Sequence, residues 1–142
     1  MHTKRKGNIG QLAVAASLSK LGYSVFIECG DISKIDLIAE KNGKIIRIQC
    51  KALTPKDNTL QLAFKKSGPN YQFYYDLTEF DFFAIFDLLN NNVYLINTKN
   101  IVGKKSITLR LSKADNNQNK HINTANQYLI ERVLRDYEQD TM

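Results

Sequence analysis

Lys34-Ile35-Asp36-Leu37-Ile38-Ala39-Glu40-Lys41-Asn42-Gly43-Lys44-Ile45-Ile46-Arg47-Ile48-Gln49-Cys50-Lys51 is the stretch on which the fold turns. Two β-prone runs flank Asn42-Gly43, the dipeptide best suited to a two-residue type I′ turn, where both central residues take positive φ. A loop that short fixes the register: Lys41 faces Lys44, and paired residue numbers sum to 85. One face then carries Ile35 with Cys50, Leu37 with Ile48 and Ala39 with Ile46, all apolar. The other carries Lys34 with Lys51, Asp36 with Gln49, Ile38 with Arg47 and Glu40 with Ile45. A slip of one residue would scatter the apolar face, so pattern and turn select the same pairing.

Outward from the hairpin, the period of Ile9, Leu12, Ala13 and Ala16 predicts a helix over 9–21. Val14, Leu18 and Leu21 form a second strip, so the helix is expected to be buried on two sides, with Asn8 as N-cap and Gly22 at C′. Residues 23–29 read as a strand and 30–33 as a turn. Further strands are expected at 59–66, 80–88, 93–97 and 107–111, with a turn at 67–70 and an exposed polar loop at 112–120. Asn126, Ile130, Val133, Leu134 and Tyr137 predict a closing amphipathic helix over 123–138. The fold class is α+β, a single domain over 1–142 with a mixed central sheet and flanking helices.

The chain has 142 residues with 43% hydrophobic ones, enough for one core. It carries 20 Lys and Arg against 14 Asp and Glu, a net +6 that raises the prior for a polyanionic partner without identifying one. No apolar run is long enough to cross a membrane, and no apolar segment follows the basic start, so neither a membrane partner nor a secretory leader is expected. Cys29 and Cys50 read as buried free thiols of a reducing cytoplasm. With only His2 and His121 besides, a structural zinc site, a histidine-cluster nuclease and a Ser-His-Asp hydrolase all lose their ligands or bases.

The register places Asp36 opposite Gln49, with Cβ atoms about 4.5–5.5 Å apart. Lys51 projects from the same face. A carboxylate, an amide carbonyl and an ammonium at one hairpin end suit divalent-metal phosphodiester chemistry. Asp36 and Gln49 would offer oxygen to Mg²⁺, for which Ca²⁺ or Mn²⁺ would substitute, and the Cys50 backbone carbonyl would add to the set. Lys51 would orient water or stabilise the transition state. The same three residues also suit a merely solvated hairpin end, with Cys50 in the core.

Their order along the chain resembles the PD-(D/E)XK nucleases, the restriction-endonuclease fold. Lys6-Gly7-Asn8-Ile9-Gly10-Gln11, Gly22-Tyr23, Ile35-Asp36-Leu37-Ile38 and Ile48-Gln49-Cys50-Lys51 resemble one branch in particular, as do Phe82-Phe83-Ala84-Ile85-Phe86 and Val93-Tyr94-Leu95-Ile96. That branch is the cyanobacterial intron-encoded homing endonucleases, in which Gln stands two residues before the lysine. The resemblance implies a site-specific, double-strand DNA endonuclease with Asp36 and Gln49 as metal ligands and Lys51 as the catalytic lysine. It places an acidic residue on the first helix where this chain has Gln11. A Glu→Gln change there keeps shape and removes charge, and implies impaired cleavage with binding retained. Gln11 also fits the N3 position of a capping box begun by Asn8.

Cutting both strands needs two sites, so a homodimer is the minimum expectation, and the resemblance implies a homotetramer. The stripe Ile130, Val133, Leu134, Tyr137 is a candidate interface or plain core. Duplex contacts are expected from Lys65, Lys66, Tyr71, Lys104, Lys105, Lys113 and Asn117, with the strand 61–66 and Tyr71 entering a groove as a β-ribbon. Phe80, Phe82, Phe83 and Phe86 are expected in the core. A junction resolvase or repair nuclease of the same fold, or a non-catalytic DNA-binding protein, are the alternatives.

Overall fold

The computed structural model describes residues 1–30, 32–112 and 123–140. Its first part runs α1 (Thr3–Lys20), β1 (Ser24–Ile27), β2 (Leu37–Lys41), β3 (Lys44–Leu53), β4 (Thr59–Ala63), β5 (Lys65–Gly68) and β6 (Tyr71–Tyr74). Then follow β7 (Phe82–Asp87), β8 (Val93–Asn97), β9 (Ser106–Arg110), β10 (Asn123–Thr124) and α2 (Ile130–Asp140), with 3₁₀ turns at Thr98–Asn100 and Ala125–Tyr128.

The hairpin has the register the sequence predicts: Leu37 pairs with Ile48, Ala39 with Ile46 and Lys41 with Lys44. Asn42 and Gly43 take φ of 54° and 82°, as the tight turn requires. Leu37, Ala39, Ile46 and Ile48 are all buried. The regular ladder stops at Leu37, however, so the expected pairs Ile35–Cys50 and Asp36–Gln49 do not form. Ile35 packs with one core cluster and Cys50 with the other.

The central sheet has the order β1-β2-β3-β7-β8, with β3 and β7 parallel and its other pairs antiparallel. All of β7 is buried because both its faces are covered. Phe82, Ala84 and Phe86 pack with α1 and α2; Phe83 and Ile85 pack against the small sheet β10-β9-β4. The fold is therefore α+β in three layers, with the central sheet between a helical layer and a three-stranded one.

Several expectations are corrected. The first helix begins at Thr3, its N-cap being His2, whose Nδ1 accepts the Lys4 N–H at 3.2 Å. Asn8 is thus an interior residue and Gln11 is not at N3; the Lys-Arg-Lys start contains nothing that stops a helix. The far end is as expected. Gly22 (φ +91°) donates to the Ser19 carbonyl and Tyr23 to that of Leu18, a Schellman ending. Only one face of α1 is buried, since Leu12 and Ala16 are exposed.

The expected strand 59–66 divides at Phe64, β4 pairing with β9 and β5 with β6. The closing helix begins only at Ile130, the polar stretch before it forming a 3₁₀ turn. Its stripe belongs to the core: Ile130 and Leu134 are buried and Val133 and Tyr137 pack against them, so it is not a free interface. Cys29 is exposed rather than buried, because β1 ends before it, and Cys50 is half-buried. Lys113, Asn117 and His121 lie outside the described residues, as does most of the expected loop 112–120.

Candidate active site

Asp36 stands where β2 parts from β3. Its N–H donates to the Ile48 carbonyl at 2.9 Å, so Asp36 and Leu37 both address Ile48, a bulge-like offset. Beyond that point the Cys50 N–H faces the edge that β2 has left. A buried amide there needs an acceptor, and Asp36 Oδ2 supplies it at 2.8 Å. A residue's N–H and C=O point to the same side of a strand, so the Cys50 carbonyl faces the same edge. Backbone geometry, not a cross-strand pair, fixes the carboxylate.

Asp36 and Cys50 line a cleft of about 530 Å³ whose other walls include Lys4, Asn8 and Gln11 of α1 and Glu28 after β1. Positions 4, 8 and 11 share one helical face. The neighbouring buried face of α1 lies close to β3 because Gly10 permits it: a Cβ on Gly10 would stand 2.9 Å from the Ala52 Cβ. Glu28 accepts from the Ser33 hydroxyl and backbone N–H, and the hydroxyl bond foremost holds its carboxyl below the usual range.

Gln49 and Lys51 leave β3 on the opposite face from Cys50. Gln49 is 8% exposed, and its Oε1 has no hydrogen-bond partner among the described residues. A buried amide oxygen left so is costly. The Lys51 ammonium donates to the Tyr75 hydroxyl at 2.9 Å. Burial lowers the lysine's proton affinity; Asp36 opposes this and Lys66 adds to it. Burial, then the Asp36 charge, push the Cys50 thiol well above its ordinary range.

The structure thus joins Gln11, Asp36 and Cys50 at one cleft and sets Asp36 within electrostatic range of Lys51. It does not pair Asp36 with Gln49 across the strands. No group of three or more His, Cys, Asp or Glu side chains that could hold a metal occurs among the described residues. The Asp36 carboxylate, the Gln49 Oε1 that lacks a partner among the described residues and the Cys50 carbonyl are hard oxygens, a chemistry that suits a hard divalent cation rather than a softer ion.

The sequence profile of the PD-(D/E)XK endonucleases matches residues 1–131. The chain belongs to this family. PD-(D/E)XK nucleases generally use divalent metals. Among solved structures, the fold is similar to that of the bacterial homing endonuclease I-Ssp6803I, with a TM-score of 0.77 at 20% identity over 100% of this chain and 98% of that one. No curated protein sequence matches.

In this PD-(D/E)XK chain, β5 and β6 form a separate two-stranded ribbon, with Lys65 opposite Tyr74, Lys66 opposite Phe73 and Gly68 opposite Tyr71. Tyr71 and Tyr74 are about half exposed. The Phe64 N–H donates to the Lys105 carbonyl at 2.9 Å, and the Lys105 ammonium lies 5.5 Å from the Tyr74 ring centroid. Lys104 and Lys105 therefore stand at the ribbon's foot. Lys34 sits 4.7 Å from the Phe73 ring on the ribbon's other side. No sequence pattern marks Glu28 or Lys34 as part of these surfaces, and the Lys51–Tyr75 contact spans 24 positions and has no local signature.

Proposed function

We propose that this PD-(D/E)XK chain is a site-specific DNA endonuclease of the homing type that hydrolyses phosphodiester bonds with Mg²⁺. The observation that carries the reading is the Asp36 carboxylate held on the Cys50 N–H at the cleft, with the Gln49 oxygen, which has no partner among the described residues, and the Lys51 ammonium on the same short segment. Asp36, Gln49 Oε1 and the Cys50 carbonyl would hold the ion. Once bound, it would supply Lewis-acid stabilisation of the phosphate and a more acidic water. Lys51 contributes a cation at the position where charge develops on the phosphate oxygens. Lys65, Lys66, Tyr71, Lys104 and Lys105 would hold the duplex through phosphate and groove contacts around the ribbon.

Gln11 presents a neutral amide to the cleft where a carboxylate would add charge toward the ion, so cleavage by this chain is impaired while binding persists. With Mg²⁺, the Gln11→Glu chain should nick supercoiled plasmid at least about tenfold faster than the unchanged chain; equal robust activity would overturn the impairment. One site per chain requires a homodimer to cut two strands, and a homotetramer agrees with the resemblance. Light scattering of the chain at micromolar concentration should show more than a monomer. The neutral Gln11 and Gln49 favour a second reading, a DNA-binding protein without chemistry. DNA binding with no cleavage even after Gln11→Glu would support it.

A further inference from the structure

We propose that Tyr75 is a positioning residue for Lys51 and links the aim of that lysine to the β5–β6 ribbon. The inference rests on the nuclease reading above. Lysine has four rotatable side-chain bonds and loses much entropy when held in one direction, so a fixed ammonium needs a fixed partner. Tyr75 is such a partner. It is 7% exposed, and its ring meets Phe73, Phe80 and Phe83 edge-on with centroids 5.8–5.9 Å away.

Its hydroxyl lies 2.9 Å from Lys51 Nζ, whereas Nζ is 4.8 Å from the ring centroid. The directed contact is therefore the hydrogen bond. The backbone adds the link to the ribbon. Tyr75 follows β6 directly, and its N–H donates to the Phe64 carbonyl at 2.9 Å, closing the ribbon at its foot between Phe64 and Tyr75. Lys66, on the ribbon, lies near enough to act electrostatically on both Lys51 and Tyr75. A duplex seated on the ribbon thus bears on the residue that aims the lysine. Without the hydroxyl the ring still fills its place, but the ammonium is free to swing.

The test uses Tyr75→Phe in the full chain carrying Gln11→Glu. Single-turnover cleavage with Mg²⁺ should fall about tenfold or more, with DNA affinity measured in Ca²⁺ within about twofold and the thermal midpoint little changed. A merely structural role would move affinity and midpoint together. Independently of activity, the Lys51 Nζ signal in ¹⁵N NMR should be resolved from those of the exposed lysines and merge with them in Tyr75→Phe. Cleavage at the full rate by Tyr75→Phe, or an unmoved Lys51 signal, overturns the positioning role while leaving the nuclease reading intact. A parent chain that binds DNA but never cuts it overturns the nuclease reading and this inference with it.

Discussion

Asp36 has two duties that one atom pair makes visible. Its Oδ2 satisfies the Cys50 amide at the edge β2 leaves open, and the same carboxylate faces the cleft. Replacing it with Asn keeps shape and removes charge. Asp36→Asn should therefore abolish cleavage while destabilising the fold by only about 1–2 kcal/mol, read from urea unfolding. Lys51 carries a purer role, because its hydrogen bond is to a hydroxyl that can turn elsewhere. Lys51→Ala should lower single-turnover cleavage at least about a hundredfold with little change in DNA affinity. The hairpin spacing brings Asp36 and Lys51 to notice as neighbours, and the structure sets them within electrostatic range of each other without the Asp36–Gln49 pair that the spacing predicts. Their arrangement was not legible in the sequence: the bulge-like offset, in which the Asp36 N–H and Leu37 both address Ile48, is encoded by no turn rule.

Among the elements, the hairpin from Leu37 to Ile48 has the expected register because a two-residue turn and an alternating face are local and agree. The strands β7 and β8 were legible as continuous apolar runs for a similar reason. The start of α1 is hidden because the apolar period begins only at Ile9 and the basic residues before it carry none, whereas Gly10, inside the expected helix, is a packing residue. Its Cβ would stand 2.9 Å from that of Ala52. Ala is the better helix former by about 1 kcal/mol, yet Gly10→Ala should destabilise by about 1–3 kcal/mol through overpacking and displace Gln11 from the cleft.

At the opposite end of the hairpin, Glu138 of α2 accepts from Tyr23 Oη at 2.7 Å and from Lys41 at 3.1 Å. The Tyr23 bond first, then Lys41, hold the Glu138 carboxyl below its usual range. A depressed folded-state value contributes stability above the unfolded-state pKa, and that contribution is lost as pH falls through the folded one. Urea midpoints should therefore fall between pH 5 and 3 by less in Glu138→Gln than in the unchanged chain, and the variant should be the less stable at pH 7.

Taken whole, the molecule brings the cleft at Asp36 and Cys50 and the ribbon that ends at Tyr75 to one segment of β3, with Lys34, Lys66 and Lys105 around the ribbon. The net charge of +6 acquires a purpose if these lysines neutralise phosphates. DNA affinity should then fall with salt on a log–log slope of about −0.9 per phosphate contact, and combined Lys65→Ala and Lys66→Ala should flatten it by nearly two contacts. The stripe on α2 is core, so the proposed dimer would use another surface, and no stripe rule could have told the two apart. The most direct measurement is plasmid nicking in Mg²⁺ by the Gln11→Glu chain with and without Asp36→Asn. Metal-dependent nicking that Asp36→Asn stops is the expected result; nicking at an undiminished rate after that change would contradict the assignment of the site.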